Sequence, residues 1–300
     1  MIKQGHYFDL YKRKNTRDGY LFLLPAMIAF VIFIGVPIIM AIGLSFTKYN
    51  LLQPPEFTGF ANLKRLMADR MAWQSLKNTA KYFVIITPVQ CVLGLFLAFI
   101  VTQVRLPRMR SFFRSVIYFP TIITTASVAI VWSYMFATDS GFINYFLRQM
   151  GLTEVPWMTN PTMAYVTIAM FSFWKFIGIT FLYYFVGLQN IPDTYYEAAE
   201  IDGAGRIRTF FKVSLPLLSP TIFFVIVTNM IGVFQIFDEP FFLSNTTNTK
   251  SLSVYIYETA FVNMKVGYGS VLAIFMFIII LTITIIQFVG QRKWVTYDYE

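Results

Sequence analysis

Residues able to carry out chemistry are few in this chain, and their spacing excludes more than it offers. His6 is the single histidine and Cys91 the single cysteine. This removes most hydrolytic and metal chemistry, any intrachain disulfide and any thiolate metal site. Asp238 and Glu239 are adjacent carboxylates before Pro240, but consecutive residues point to different faces of a helix, and no histidine or nucleophile accompanies them. They are expected at an outer rim, where they contact an extracellular partner or pair with Lys265. No G-x-x-x-x-G-K-[ST] phosphate loop is present, so nucleotide hydrolysis by this chain alone is not expected.

What remains is a set of polar side chains inside apolar runs. Lys175 stands beside Trp174, and Asn229 shares a helical spacing with Gly232, Val233 and Ile236, with Gln235 one position away. This suits binding: an ammonium and two amides can donate to hydroxyls or to an anion, and aromatic and aliphatic faces can pack against a ligand. Lys175 admits two readings, a donor to such a ligand or an ion pair with an acid of a partner subunit. A buried ammonium at mid-membrane costs about 2.5–3.5 kcal/mol on insertion scales, so either role must compensate it. Thr124, Ser127 and Trp132 form a weaker set, in which the hydroxyls are expected to bond back to their own helix.

The surrounding elements are membrane spans. Of 300 residues, 57% are hydrophobic, 19% aromatic and only 13% charged, against about 25% charged in soluble domains. Six runs are long enough to cross a bilayer core, which needs about 20 residues. They are approximately Tyr20–Phe46, Tyr82–Val104, Val116–Ala137, Met163–Leu188, Leu217–Phe237 and Gly267–Val289. The prolines within or beside them are tolerated where neighbouring helices satisfy the freed backbone groups. Residues 1–19 precede the first run as an interfacial helix or a basic tail. The fold class is therefore all-α and polytopic.

Orientation follows from Lys and Arg in the connections. Fourteen of them lie in the N-terminal segment, the second-to-third connection, the fourth-to-fifth connection and the tail; nine lie in the longer opposite loops. Both termini, including a tail of residues 291–300, are expected to be cytoplasmic. The net charge of +9 is read as a topology signal and not as a nucleic-acid footprint.

The most informative connection is residues 189–216, which contains "EAAEIDGAGRIRTFF". Thr194 lies three residues before Glu197, the capping-box spacing. A helix from there is expected to reach Asp202, with Gly203 as its left-handed cap. A second helix should carry Ile207, Phe210 and Phe211 on one stripe and end before Pro216, which disfavours helical geometry at Leu215. In the second outer loop, Asp139 or Ser140 is expected to cap a short helix that Gly151 ends. Three roles were open for the 189–216 element on the residues alone: a DNA-reading helix-turn-helix, which flanking spans make implausible, a packing loop, or a docking knob for a cytoplasmic partner.

Glu197-Ala198-Ala199, then Gly203, then Val213-x-Leu215-Pro216 resembles the "EAA" loop of binding-protein-dependent ABC importer permeases. The usual isoleucine is replaced by Val213. "EAAEIDGA", "PTIITTASVAIVWSYMF", "GFINYFL" and "GLQNIP" are similar to the carbohydrate-uptake branch, the maltose and glycerol-phosphate permease type, over nearly all of residues 20–300. The resemblance implies a type I importer permease fold of six spans, with residues 20–46 as the first span and 77–290 as the permease core. It implies a subunit of a bacterial-type cytoplasmic membrane that translocates an oligosaccharide or sugar derivative. It also implies that Glu197, Ala198, Ala199, Asp202, Gly203 and Arg206 engage an ATPase, and that span five lines the sugar cavity, which would make Asn229, Val233, Gln235 and Ile236 substrate contacts; Lys175 and Trp174 of span four join them as candidates on the residues alone. No cofactor is expected in this chain; ATP and Mg would belong to a dimer of ATP-binding subunits. The other partners implied are a second permease chain, an extracellular or periplasmic sugar-binding protein and membrane lipid, with no nucleic acid. The alternative is an ion-coupled secondary transporter acting without an ATPase.

Overall fold

The computed structural model describes residues 18–244 and 246–296. The N-terminal segment therefore lies almost wholly outside the described residues, as does Asn245 of the third outer loop. Among the described residues, five helices are long and apolar enough to cross a membrane: Asp18–Ser45, Arg70–Thr102, Pro161–Gln189, Ser219–Leu243 and Val266–Gln291. They correspond to spans one, two, four, five and six of the sequence reading.

Span three departs from expectation. Instead of one continuous helix over Val116–Ala137, the chain forms Pro107–Ile122 and Thr125–Met135, bent by 89°. Ile123 and Thr124 are extended, with ψ of 146° and 130°. Pro120 lacks the amide needed to carry the ladder through this region, and the carbonyls freed at the break find a partner on span four, described below.

The chain divides into two compact units, Met1–Met67 with Thr259–Ile274, and Ala68–Glu258 with Phe275–Glu300. In the first, span one exposes its apolar side chains throughout, with Phe22 88% and Phe33 76% accessible within this chain. At its end Asn62 donates to the carbonyls of Ser45 (3.0 Å) and Thr47 (2.8 Å). A two-residue antiparallel pairing, Thr47–Lys48 with Glu56–Phe57, closes the loop beyond it. Leu63 and Leu66 lie on a short helix, Ala61–Ala68, in the same loop.

The second unit is organised around span four. Its start is set by Asn160, whose side chain accepts from Thr162 and Met163 amides at 2.9 and 3.2 Å, with Pro161 in the first turn, where a missing amide costs nothing. One apolar cluster joins Tyr82 and Ile86 of span two, Ile168 and Phe171 of span four and Val233 of span five. A second joins Ala98 of span two, Phe181 and Phe185 of span four, and Leu218 and Val225 around span five. Gly178 lets the first half of span three come against span four backbone to backbone, because a Cβ there would stand 2.6 Å from the Ile117 carbonyl oxygen.

Span five is longer than expected and interrupted. It is helical over Ser219–Phe234, breaks over Gln235–Phe237 and resumes as Asp238–Leu243. The outer-loop helix Phe142–Gln149 begins at Gly141 without a side-chain cap, so neither Asp139 nor Ser140 serves as expected. Gly151 does end it, at φ +71°.

Candidate functional site

Two regions collect the residues singled out from sequence. The first is the connection between spans four and five. Its first helix is Asp193–Ile201, preceded by Pro192 with no side-chain cap. Thr194 thus lies inside the helix, and the capping box expected with Glu197 is not formed. The C-terminal end follows expectation. Gly203 has φ +71°, its amide donates to the Glu200 carbonyl at 3.0 Å, and Ala204 donates to Ala199 at 2.9 Å. These two bonds define a Schellman cap, which needs a residue comfortable at positive φ.

The second helix does not end before Pro216. Arg206–Thr209 runs into a π-turn, Phe210–Ser214, then into Leu215–Leu217, with Leu215 helical at φ −65°, ψ −44°. The wider turn moves the carbonyls that a proline ring would otherwise strike, so the element continues almost directly into span five.

Glu197, Ala198, Asp202, Gly203 and Arg206 are exposed, while Ala199 is buried on the inner face. Around them Ile201, Ile207 and Phe211 are 87%, 73% and 59% accessible. The element is anchored from below. Ser214 Oγ donates to Tyr196 Oη at 3.3 Å, Phe210 lies 4.5 Å from Phe99 of span two between ring centroids, and Tyr196 packs on the cluster containing Leu188 and Leu218. An exposed apolar face on a firmly mounted helix pair is suited to docking and to passing displacement into spans four and five.

The second region is a cavity of about 410 Å³ within the second unit. Four of the six substrate-contact candidates line it: Asn229, Val233, Gln235 and Ile236. Gln235 and Ile236 stand in the break of span five and line the cavity together with Asn229. Asn229 touches Thr180 and Cys91 only at 3.4 and 3.6 Å.

Lys175 and Trp174 do not line this cavity. Lys175 is 1% exposed, and its ammonium donates to the carbonyls of Pro120 (2.7 Å), Thr121 (3.1 Å) and Ile123. An ammonium has three donors, and all three are engaged. In this chain the lysine closes the broken end of span three, a role neither sequence reading contained. Trp174 packs against Trp132 at 5.8 Å and Phe171 at 6.5 Å between centroids. Thr124 donates to the Ser127 hydroxyl at 2.8 Å at the start of the second half-span, not to a backbone carbonyl of its own helix.

Sequence reading missed several cavity residues. Gln90 on span two is 3% exposed and donates to the Ser172 carbonyl at 3.2 Å. Ser172 Oγ in turn donates to Glu239 Oε1 at 3.4 Å. Glu239 is 4% exposed and faces the cavity beside Asp238, so it is not the rim residue expected. An amide in the middle of span two was a usable signal. The meeting of Ser172 and Glu239, 67 residues apart, was not. Among the described residues no three His, Cys, Asp or Glu side chains gather in a way that could hold a metal ion.

Comparison with known proteins gives concordant results. A family model described as "Binding-protein-dependent transport system inner membrane component" matches residues 90–295. The chain is 36% identical over 294 residues to the probable ABC transporter permease protein YesP of Bacillus subtilis (strain 168), covering 95% of this chain and 94% of that protein. It is 32% identical over 291 residues to the lactose transport system permease protein LacF of Rhizobium radiobacter, covering 94% and 96%. Among solved structures, a chain of a bacterial ABC transporter involved in the import of the acidic polysaccharide alginate matches with a TM-score of 0.83 at 24% identity, over 96% of this chain and 100% of that one.

Proposed function

This chain belongs to the family of binding-protein-dependent transport system inner membrane components, and from that membership we propose that it is the permease subunit of an ABC importer for an oligosaccharide or sugar derivative, driven by ATP hydrolysis in a separate subunit. Its fold is the all-α importer permease fold, with the bent pair as the third of six spans. It is a multi-pass membrane protein, and on the Lys and Arg distribution both termini are cytoplasmic.

One observation carries the coupling reading. The 193–217 helix pair presents Ile201, Ile207 and Phe211 outward while it connects spans four and five, two of the spans that line the cavity. Closure of an ATP-binding dimer, with its ATP and Mg, displaces this docked pair. Tyr196 passes the displacement into spans four and five and Phe210 into span two, and the interrupted stretch Gln235–Phe237 is where span five yields. The saccharide reading draws on the lactose relative and on the amide- and hydroxyl-bearing cavity wall. A second permease chain completes the pathway, and an extracellular or periplasmic sugar-binding protein delivers the substrate.

The test is uptake in proteoliposomes holding this chain with its partner permease, ATPase and binding protein. Uptake is expected to need nucleotide and to persist when ion gradients are collapsed. Uptake without nucleotide that stops with the gradients would establish an ion-coupled transporter and reject the proposal.

A further inference from the structure

Charge is the property of the substrate that the family leaves open, since one similar protein is named for lactose and another for an acidic polysaccharide. The cavity wall in this chain is one-sided. Among the described residues that line it, two are carboxylates, Asp238 and Glu239, and none is lysine or arginine. Lys175, which does not line the cavity, is the cation whose charge acts on Glu239, but its three donors are all taken by the carbonyls at the broken end of span three and none is left for a ligand.

We propose that this cavity takes a saccharide free of carboxylate and sulfate groups, and that Glu239 is the residue that rejects acidic sugars. The inference rests on the reading of the cavity as the substrate's path. Glu239 is 4% exposed, and its carboxylate accepts from its own backbone amide and, at 3.4 Å, from Ser172 Oγ. A carboxylate has about four lone-pair sites, so it can accept from further donors. Sugar hydroxyls supply such donors. The amides of Asn229 and Gln235 offer both donors and acceptors, the pattern that a ring of hydroxyls can satisfy. A uronate would instead set a further anion beside Glu239 and Asp238, where the charge of Lys175 already acts on Glu239 and no lysine or arginine lines the wall to meet the added carboxylate.

The experiment is equilibrium binding to the purified permease–ATPase complex without binding protein, so that the membrane subunits alone select. The probes are a panel of neutral trisaccharides, each paired with its 6-carboxy counterpart. For the pairs that bind, the neutral member is expected to bind about tenfold tighter or more, since like charges brought together carry a large penalty. Glu239→Gln is expected to shrink that ratio, mainly by tightening the carboxylated member. Equal or tighter binding of the carboxylated sugars by the unaltered complex would overturn the inference while leaving the saccharide reading intact. A complex that binds no member of the panel, with Asn229→Ala also without effect on uptake, would overturn the saccharide reading and this inference with it. The comparison within the unaltered complex stands even if Glu239→Gln does not assemble.

Discussion

Lys175 Nζ donates to the carbonyl oxygen of Pro120 at 2.7 Å, joining span four to the point where span three breaks. The bond is reciprocated, because Thr121 Oγ1 donates to the Lys175 carbonyl at 3.1 Å. At the end of a helix the last carbonyls have no partner within it and carry the negative end of the helix dipole. An ammonium placed there satisfies both needs at once. It also removes the cost that made this lysine look like a ligand-binding group.

Lys175→Met should therefore lower stability, since it leaves three carbonyls at membrane depth without their donor. A bond to a charged group contributes about 1.5–3 kcal/mol, so the loss should be at least of that size. The measurement is the thermal midpoint and the yield of the detergent-purified complex. An unchanged midpoint and yield would reject this role for the lysine.

Gly178 tests the same contact from the other side. Gly178→Val places side-chain atoms where even a Cβ stands 2.6 Å from the Ile117 carbonyl and 2.8 Å from Tyr118 Cα. Overpacking of this kind costs about 1–3 kcal/mol, and here the obstacle is backbone, which cannot rotate away. Reduced complex yield is expected, and combination with Lys175→Met should give less than the sum because both act on one docking surface.

Gly203→Pro should abolish nucleotide-driven uptake while the permease remains in the membrane. Proline fixes φ near −65° where the chain has +71°, and it deletes the amide that donates to Glu200. A bulky residue at the exposed Ala198, as in Ala198→Trp, should uncouple in the same way. Normal uptake in both variants, with the ATPase retained on purification, would refute the coupling assignment.

Asn229→Ala should weaken transport without affecting assembly. The amide makes only long contacts within the chain, at 3.4 Å or more, so its removal disturbs the fold little. A neutral hydrogen bond to substrate is worth about 0.5–1.5 kcal/mol, which predicts a rise in KM of roughly two- to tenfold with complex yield unchanged. A fall in yield with no change in KM would assign Asn229 to packing.

Orientation can be checked directly. In a background lacking Cys91, cysteines at Arg108 and Arg206 should react with a membrane-impermeant reagent only in inverted vesicles, and one at Thr247 only on intact cells. Labelling of Arg206→Cys on intact cells would invert the topology and remove the coupling element from the reach of any ATPase.

The spans were legible in the sequence as six apolar runs, though not the breaks in the third and fifth, because a bilayer demands long apolar runs and few charges wherever they occur. The sequence by itself also determined the elbow at Gly203, since a left-handed residue between two short helices is a local requirement that one glycine announces. Asn229, Val233 and Ile236 were legible as one surface because helical spacing fixes which residues share a face. Only the tertiary structure decided what Lys175 does, because its partners are backbone carbonyls 52–55 residues away, and carbonyls are present at every position. The bend in span three has the same origin: Pro120 weakens the helix locally, but the break persists because another span supplies the donor. Glu239 moved from an expected rim to a buried wall for a related reason. Local pattern shows that a carboxylate follows span five, whereas its burial depends on span five breaking and resuming against Ser172, a contact that exists only once spans four and five are packed together.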